Sequence, residues 1–340
     1  MTTVPTDLSV HLSKFLSDYL SAKRNLSANT VKAYRDAFTL LLRYCRDVKK
    51  VPPERLSLRD LDAELILEFL EASGKERQWS AATRNHRLAA LHSFFRYLQT
   101  ELPEQLHRSQ RILAIPMQRT HKEPVTYLDV GDLVCLLRQL DRSNAVGRRD
   151  DVLLTLLYDT GARVQEVVDL SPRDLRLESP AQVRLTGKGR KTRVVPLMSS
   201  TVDKLRNYVE EHGLMAPTRL EGPLFRGRLG GRLTRSGIRR IIEKCVVRAG
   251  EQLLNRSRIS PHTLRHSKAM HLLQSGAPLV IIRNILGHED VKTTEVYAKA
   301  DLTMKRRALE NAIPTTEPGN SQLEPAWRRD RDLLDWLRSL

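Results

Sequence analysis

In the run Pro261-His262-Thr263-Leu264-Arg265-His266, His262 and Arg265 stand three residues apart just behind a Ser260-Pro261 helix start, so they share one helix face. Basic side chains at a helix N-terminus, where backbone N–H groups already point outward, make an anion site. Arg163 directly follows the turn Tyr158-Asp159-Thr160-Gly161-Ala162 and opens the helical stretch RVQEVVDL. Lys188 lies in the polar segment between two β-like runs. His288 comes straight after Gly287, and Tyr297 follows nine residues later, beyond a polar stretch where a tyrosine is under no obligation to pack in a core. Taken singly, each has a plain explanation: an exposed Arg is usually a solvated charge, a lone Tyr is usually packing, and PHTLRH also suits a basic surface turn.

The elements that must position these residues are mostly helical. Leu8, Leu12, Phe15, Leu16, Tyr19 and Leu20 recur at helical spacing, and a second helix begins after Ser27 with Val31, Tyr34, Phe38, Leu41, Leu42 and Cys45 on one side. Leu61, Leu65, Phe69 and Leu70 form a third stripe, and Ser80 reads as the N-cap of a fourth helix carrying Leu88, Leu91, Phe95 and Leu98. This predicts a compact helical domain over residues 1–100. Residues 101–124 hold isolated prolines and many charges without a sustained apolar face, and are expected to be an interdomain linker. A second domain, residues 125–313, opens with a helix over Leu128 to Leu140 and another through Val152 to Tyr158 that Gly161 stops. QVRLT and RVVPL alternate around Gly187-Lys188-Gly189-Arg190-Lys191-Thr192, which predicts a β-hairpin with Lys188 near its tip. The Ser260-Pro261 helix should end at Gly276, and the next, from Pro278, at Gly287. Residues 314–325 read as a flexible linker before a tail with partial helical spacing.

Lys and Arg total 57 against 40 Asp and Glu, a formal net charge of +17, so a polyanionic partner is expected, nucleic acid first. A membrane surface is the alternative, but neither a basic amphipathic helix nor a lipidation signal is evident. No run of eighteen apolar residues occurs, so no membrane span or secretion is expected. Cys45, Cys135 and Cys245 lie far apart in apolar helical contexts and read as reduced core residues, which suits the cytoplasm.

Together the segments TGARVQEVVDL, VRLTGKGRKTRVVPL, PHTLRHS and LLQSGAPLVIIRNILGHEDVKTTEVYA resemble the boxes of the tyrosine recombinase family. Its members carry an Arg, a hairpin Lys, a His-x-x-Arg pair, a second His or Trp and a nucleophilic Tyr in that order. Here the order is Arg163, Lys188, His262, Arg265, His288 and Tyr297. The likeness is strong over residues 125–313 and moderate over residues 8–100, where the four helices are similar to the family's core-binding domain. Gln165 stands where many relatives have Ser, and Lys268 where they often have Phe; neither change removes a reacting group.

The resemblance implies a mainly α fold with a small β-sheet or hairpin, in which a helical core-binding domain precedes a mixed α/β catalytic domain. It also implies an enzyme that cuts and rejoins double-stranded DNA through a 3′-phosphotyrosine, working as a tetramer with a dimer on each site. The residue types suit that chemistry. Arg163 and Arg265 would hold the non-bridging oxygens, His262 and His288 would donate to the phosphate or help take the tyrosine proton, and Lys188 would protonate the departing 5′ oxygen. Arg190, Lys191 and Arg193 beside the hairpin, with Lys32, Arg84 and Arg87 in the first domain, are the expected DNA contacts. A metal site is the chemical rival, since His262 and His266 are spaced i, i+4 with His271 near. The metalloprotease pattern needs Glu after its first His, however, and Thr263 stands there, while two-metal cleavage needs convergent carboxylates. No cofactor is expected, and His266 and His271 read as packing or DNA-contact residues. Nicking and resealing of the type IB topoisomerase kind, or DNA binding without catalysis, are the alternative functions. All six catalytic residue types are present, which disfavours the second. The tail resembles a device that packs on a neighbouring subunit.

Overall fold

A computed structural model describes residues 5–120, 125–228, 230–254 and 259–288, together with Thr294 and Tyr297. The chain divides into two compact units, Met1–Glu123 and Pro124–Leu340.

In the first unit, α1 (Asp7–Lys14) runs on into π-helical turns over Phe15–Lys23. It is followed by α2 (Ala28–Asp47), α3 (Ala63–Glu76), α4 (Ala81–Glu101) and α5 (Leu106–Leu113). Ser27 and Ser80 each accept the backbone N–H of the residue three positions on, so these expected helix starts are real caps, and Asp62 caps α3 in the same way. The expected stripes meet in one core of Phe15, Phe38, Leu41, Phe69, Leu91, Phe94 and Phe95, in which Phe94 meets Phe15 and Phe38 edge-on.

The expectation of a linker over residues 101–124 needs correction. Within it α5 places Ile112, fully buried, and beyond its end Ile115, 5% exposed, in this same core. Pro103 does not break the chain, because it sits in the first turn of the 3₁₀ helix Pro103–Gln105, where its missing N–H would have had no partner. Further on, Asn85 and Gln118 exchange two hydrogen bonds, which tie the following segment to α4.

The second unit begins with α6 (Val130–Arg138), α7 (Ala145–Thr160) and α8 (Val164–Asp169). Three antiparallel strands in sequence order follow: β1 (Leu175–Arg176), β2 (Gln182–Thr186) and β3 (Thr192–Pro196). The β2–β3 register, Thr186 opposite Thr192, makes the expected hairpin, and its tip is one 3₁₀ turn over Lys188–Arg190. Helices α9 (Ser199–Glu211), α10 (Arg235–Ala249), α11 (Glu251–Leu254), α12 (Pro261–Gln274) and α13 (Leu279–Leu286) complete the described part. Helix α7 is buried on almost every side, with Leu153, Leu154, Leu156 and Leu157 fully covered, and forms the spine of the unit's main core.

Gly161 and Gly287 end α7 and α13 in the left-handed conformation, at φ 57° and 65°. A Cβ on Gly161 would also come within 2.6 Å of Leu286, so the two helix ends are pressed together. The expected linker at residues 314–325 and the tail to residue 340 lie outside the described residues.

Candidate active site

The site forms where the ends of α7 and α13, the start of α8, the strand β3 and the first turns of α12 converge. The reversal at Gly161 leaves Arg163 as the N-cap of α8, and Glu166, three residues on, folds back to accept the Arg163 backbone N–H at 2.8 Å. The Glu166 side chain is 2% exposed. Its carboxylate also accepts Nη1 of Arg163 at 3.0 Å and both Nη1 and Nη2 of Arg193, from β3, at 2.9 and 2.7 Å. Burial alone would raise the Glu166 pKa, but Arg193 and Arg163 outweigh it and hold the carboxyl below its usual range.

Arg265, on the second turn of α12, is 4% exposed. It donates Nη1 to the Gly161 carbonyl at 2.6 Å and Nη2 to the Leu286 carbonyl at 2.7 Å. Arg163 sends its own Nη2 to the Gly287 carbonyl at 3.2 Å, and Arg193 sends Nε to the Ile285 carbonyl at 2.8 Å. Three guanidiniums thus face one carboxylate. Burial first, then the charge of Arg163, pushes the Arg265 pKa down to about 10, still protonated at neutral pH. A pocket with excess fixed cations and well-directed N–H groups is matched to a phosphate.

The imidazoles are kept neutral. His266, one turn beyond His262 on α12, has its pKa pushed down to about 4 by burial and then by His262 and Arg265. His288 is likewise pushed down to about 4, by burial and then by Arg265 and Arg163. His262 is more accessible, yet the protein around it and then Arg265 and Arg163 hold it below its usual value too. The hydroxyl of Tyr297 lies 2.9 Å from Nδ1 of His266, and the ring, 2% exposed, runs nearly parallel to that of His288, with centroids 6.1 Å apart. His288 turns its own Nδ1 to the Thr294 hydroxyl at 2.9 Å. Burial raises the Tyr297 pKa, against the pull of Arg265 and Arg163. A neutral His266 can therefore accept the hydrogen bond, and in reaction the proton, of the Tyr297 hydroxyl.

Arg163, Arg265, His288 and Tyr297 are thus brought into one connected site, with His262 on the adjacent turn. The Lys188 backbone lies at the hairpin tip, with exposed Arg190 and Lys191 beside it, and its side chain is outside the described part. Arg193, expected among the DNA contacts, has a side chain only 12% exposed whose donors go to Glu166 and Ile285. In the first unit Lys32 is exposed, Arg84 bonds the Pro116 carbonyl and Arg87 the Ala33 carbonyl.

Sequence reasoning missed two residues. On sequence His266 reads as a packing or DNA-contact residue, although its i, i+4 spacing from His262 places it on the same helix face. Glu166 left a fainter signal, an acid in the first turn of a helix that opens with a catalytic-type arginine.

A tyrosine hydroxyl on an imidazole held neutral, beside three guanidiniums that share one carboxylate, is an arrangement suited to a phosphate. Residues 127–304 match the phage integrase family and residues 13–101 its N-terminal SAM-like domain. The chain is 38% identical, over 99% of its length and all of the relative's, to the integrase/recombinase y4rC of Sinorhizobium fredii. It is 34% identical over 82% of its length, and 90% of the relative's, to the tyrosine recombinase XerD of Listeria monocytogenes. Among solved structures, the XerH site-specific recombinase bound to a palindromic difH substrate matches with a TM-score of 0.68 at 24% identity, over 84% of this chain and 81% of that one. At that identity the likeness concerns the fold. The chain belongs to the phage integrase family and is a tyrosine-type site-specific recombinase acting on DNA.

Proposed function

We propose that Tyr297 attacks a DNA phosphodiester, forming the bond from its hydroxyl oxygen to phosphorus while the bond to the 5′ oxygen breaks. The hydroxyl proton passes to Nδ1 of His266. Arg163 and Arg265 hold the non-bridging oxygens, His262 and His288 donate to the same phosphate, and Lys188 gives a proton to the departing 5′ oxygen. The 3′-phosphotyrosine keeps the bond energy for resealing, when the 5′ hydroxyl of the partner strand attacks and the tyrosine recovers its proton. The observation that carries this reading is the 2.9 Å contact of the Tyr297 hydroxyl with His266 beside the Arg265 guanidinium. At 2% exposure the tyrosine is covered by the protein around it.

Arg190 and Lys191 contact the duplex next to the cleavage point, and Lys32, Arg84 and Arg87 contact it from the first unit; of the expected DNA contacts, Arg193 alone is spent on fixing Glu166. The protein works as a tetramer on DNA in the cytoplasm. Among the described residues no helix is long and apolar enough to cross a membrane. The kinship with y4rC supports integration or excision of a mobile element, and that with XerD the resolution of DNA molecules. The full-length match to y4rC favours the first. The test is Tyr297→Phe on a nicked suicide duplex. The variant is expected to bind the site and form no covalent adduct, and an adduct formed by it would assign the nucleophile elsewhere.

A further inference from the structure

The second unit holds another cationic cleft that shares no lining residue with the site above. It has a volume of about 620 Å³ and lies between the N-terminal end of α7, the C-terminal end of α9, the segment over residues 213–233 and one face of α10. That volume is within the range of about 300–1,000 Å³ usual for small-ligand sites. Its lining carries the cations Arg149, Arg219, Arg226, Arg228, Arg240 and Lys244 against a single carboxylate, Asp150.

That carboxylate is already engaged. Arg149 grips Asp150 at 2.6 Å through Nη2, and both side chains are nearly buried, at 14% and 13% exposure. The Nη1 of Arg149 goes to the Arg226 carbonyl, and Arg219 donates to the His212 carbonyl. This leaves Arg226, Arg228, Arg240 and Lys244 with no acid within bonding distance among the described residues. Arg226 is the more telling of these, because its Nε is buried and has no hydrogen-bond partner. A charged donor shut away from water without an acceptor is costly, and a ligand acceptor would relieve it. The apolar part of the lining is formed by Leu214, Leu233 and Ile241 with the Tyr208 ring.

We propose that this cleft is a second phosphate site, one that takes a run of neighbouring phosphates rather than a single anion. Several uncompensated cations converging on one hollow match several negative charges close together. Guanidinium forks suit phosphate oxygens, and Lys244 adds a point charge. The same chemistry is offered by a free oligophosphate, such as a nucleoside triphosphate, and by consecutive phosphates of a DNA strand.

The experiment measures binding of inorganic triphosphate to the full chain by calorimetry at low salt, for the wild type, for Arg226→Gln with Arg240→Gln, and for Arg163→Ala. Binding should weaken at least tenfold in the double variant and stay near wild type in Arg163→Ala. Should the first pair fail to fold, Arg228→Gln with Lys244→Gln, both exposed, gives the same reading. Wild-type affinity in the folded double variants, or loss of binding in Arg163→Ala, would overturn the proposal. A glutamate-rich peptide that binds as tightly as triphosphate would overturn the assignment to phosphate. Repeating the titration with half-site DNA present separates the sources. Exclusion of triphosphate by DNA assigns the cleft to strand phosphates, and undiminished binding assigns it to a free ligand.

Discussion

Replacing Glu166 by Gln changes one proton's worth of charge and almost no volume, yet it should disturb the site more than any surface substitution. The carboxylate accepts four bonds, one from the Arg163 backbone and three from guanidinium N–H groups of Arg163 and Arg193, while 2% exposed. An amide offers one oxygen and turns an N–H₂ toward donors, so at least one guanidinium is left facing another donor in a dry place. Breaking a buried pair in this way costs about 3–5 kcal/mol. For a unit of this size each kcal/mol lowers the melting temperature by about 2–4 °C, so a fall of roughly 6–20 °C is expected at pH 7. The pH dependence gives an independent reading. The folded pKa of Glu166 is held below the ordinary value, so the ionised form is the one that folding favours. Its contribution is complete above the ordinary carboxylate pKa of about 4.3 and is lost as the pH falls from there through the lower folded value. The gap between wild type and Glu166→Gln should therefore narrow below about pH 4. Scanning calorimetry over this range tests both parts. A variant melting within about 1 °C of wild type at pH 7, or a gap that does not change with acid, would refute the reasoning.

Arg163→Ala and Arg265→Ala should each slow adduct formation by about 10²–10³, the usual loss for one preorganised donor, while EDTA leaves the wild-type rate unchanged. Activity lost on chelation and restored by metal would overturn that mechanism. His266→Asn should slow adduct formation, and in the free wild-type protein the His266 and His288 imidazole signals should stay neutral down to about pH 5, which NMR titration checks. Since both folded values lie below the unfolded value of about 6.5, their effect on stability is a loss as pH falls from 6.5 toward 4, where the unfolded chain binds the proton first. Ile112→Ala should destabilise the first unit by about 2–5 kcal/mol, as for a core residue, and a cost under about 1 kcal/mol would return α5 to the status of a linker.

What was legible in the sequence is what local chemistry controls. Ser27, Ser80 and Ser260-Pro261 announce helix starts because the cap and its N–H partner lie within one turn. Gly161 and Gly287 announce helix ends because the left-handed turn excludes most side chains. The hairpin is written in alternation over five residues on each side. Less legible was α5, whose few apolar residues, Ile112 among them, stand among charges and count only once α4 offers them a surface. Arg193 could not be told from Arg190 or Lys191 by sequence, since its partners Glu166 and Ile285 come from elements 27 and 92 residues away. His266 misled for the same reason: its partner, Tyr297, is brought back by a chain of 31 residues.

The arginines show why such a site is expensive to alter and hard to read. Arg265 donates to the carbonyls of Gly161 and Leu286, at the C-terminal ends of α7 and α13. Those are carbonyls that a helix leaves without internal partners, and they carry the negative end of its dipole. Arg163 and Arg193 repeat the device on Gly287 and Ile285. The free site is thus balanced by partial charges and one carboxylate, enough to keep Arg265 protonated in the core yet too little to neutralise three guanidiniums. On the proposed mechanism a phosphate entering there would replace weak acceptors with a full negative charge, and the same side chains that close the fold would grip the substrate. Folding and catalysis therefore draw on one set of bonds, and a substitution at Arg265 should register in the melting curve as well as in the rate.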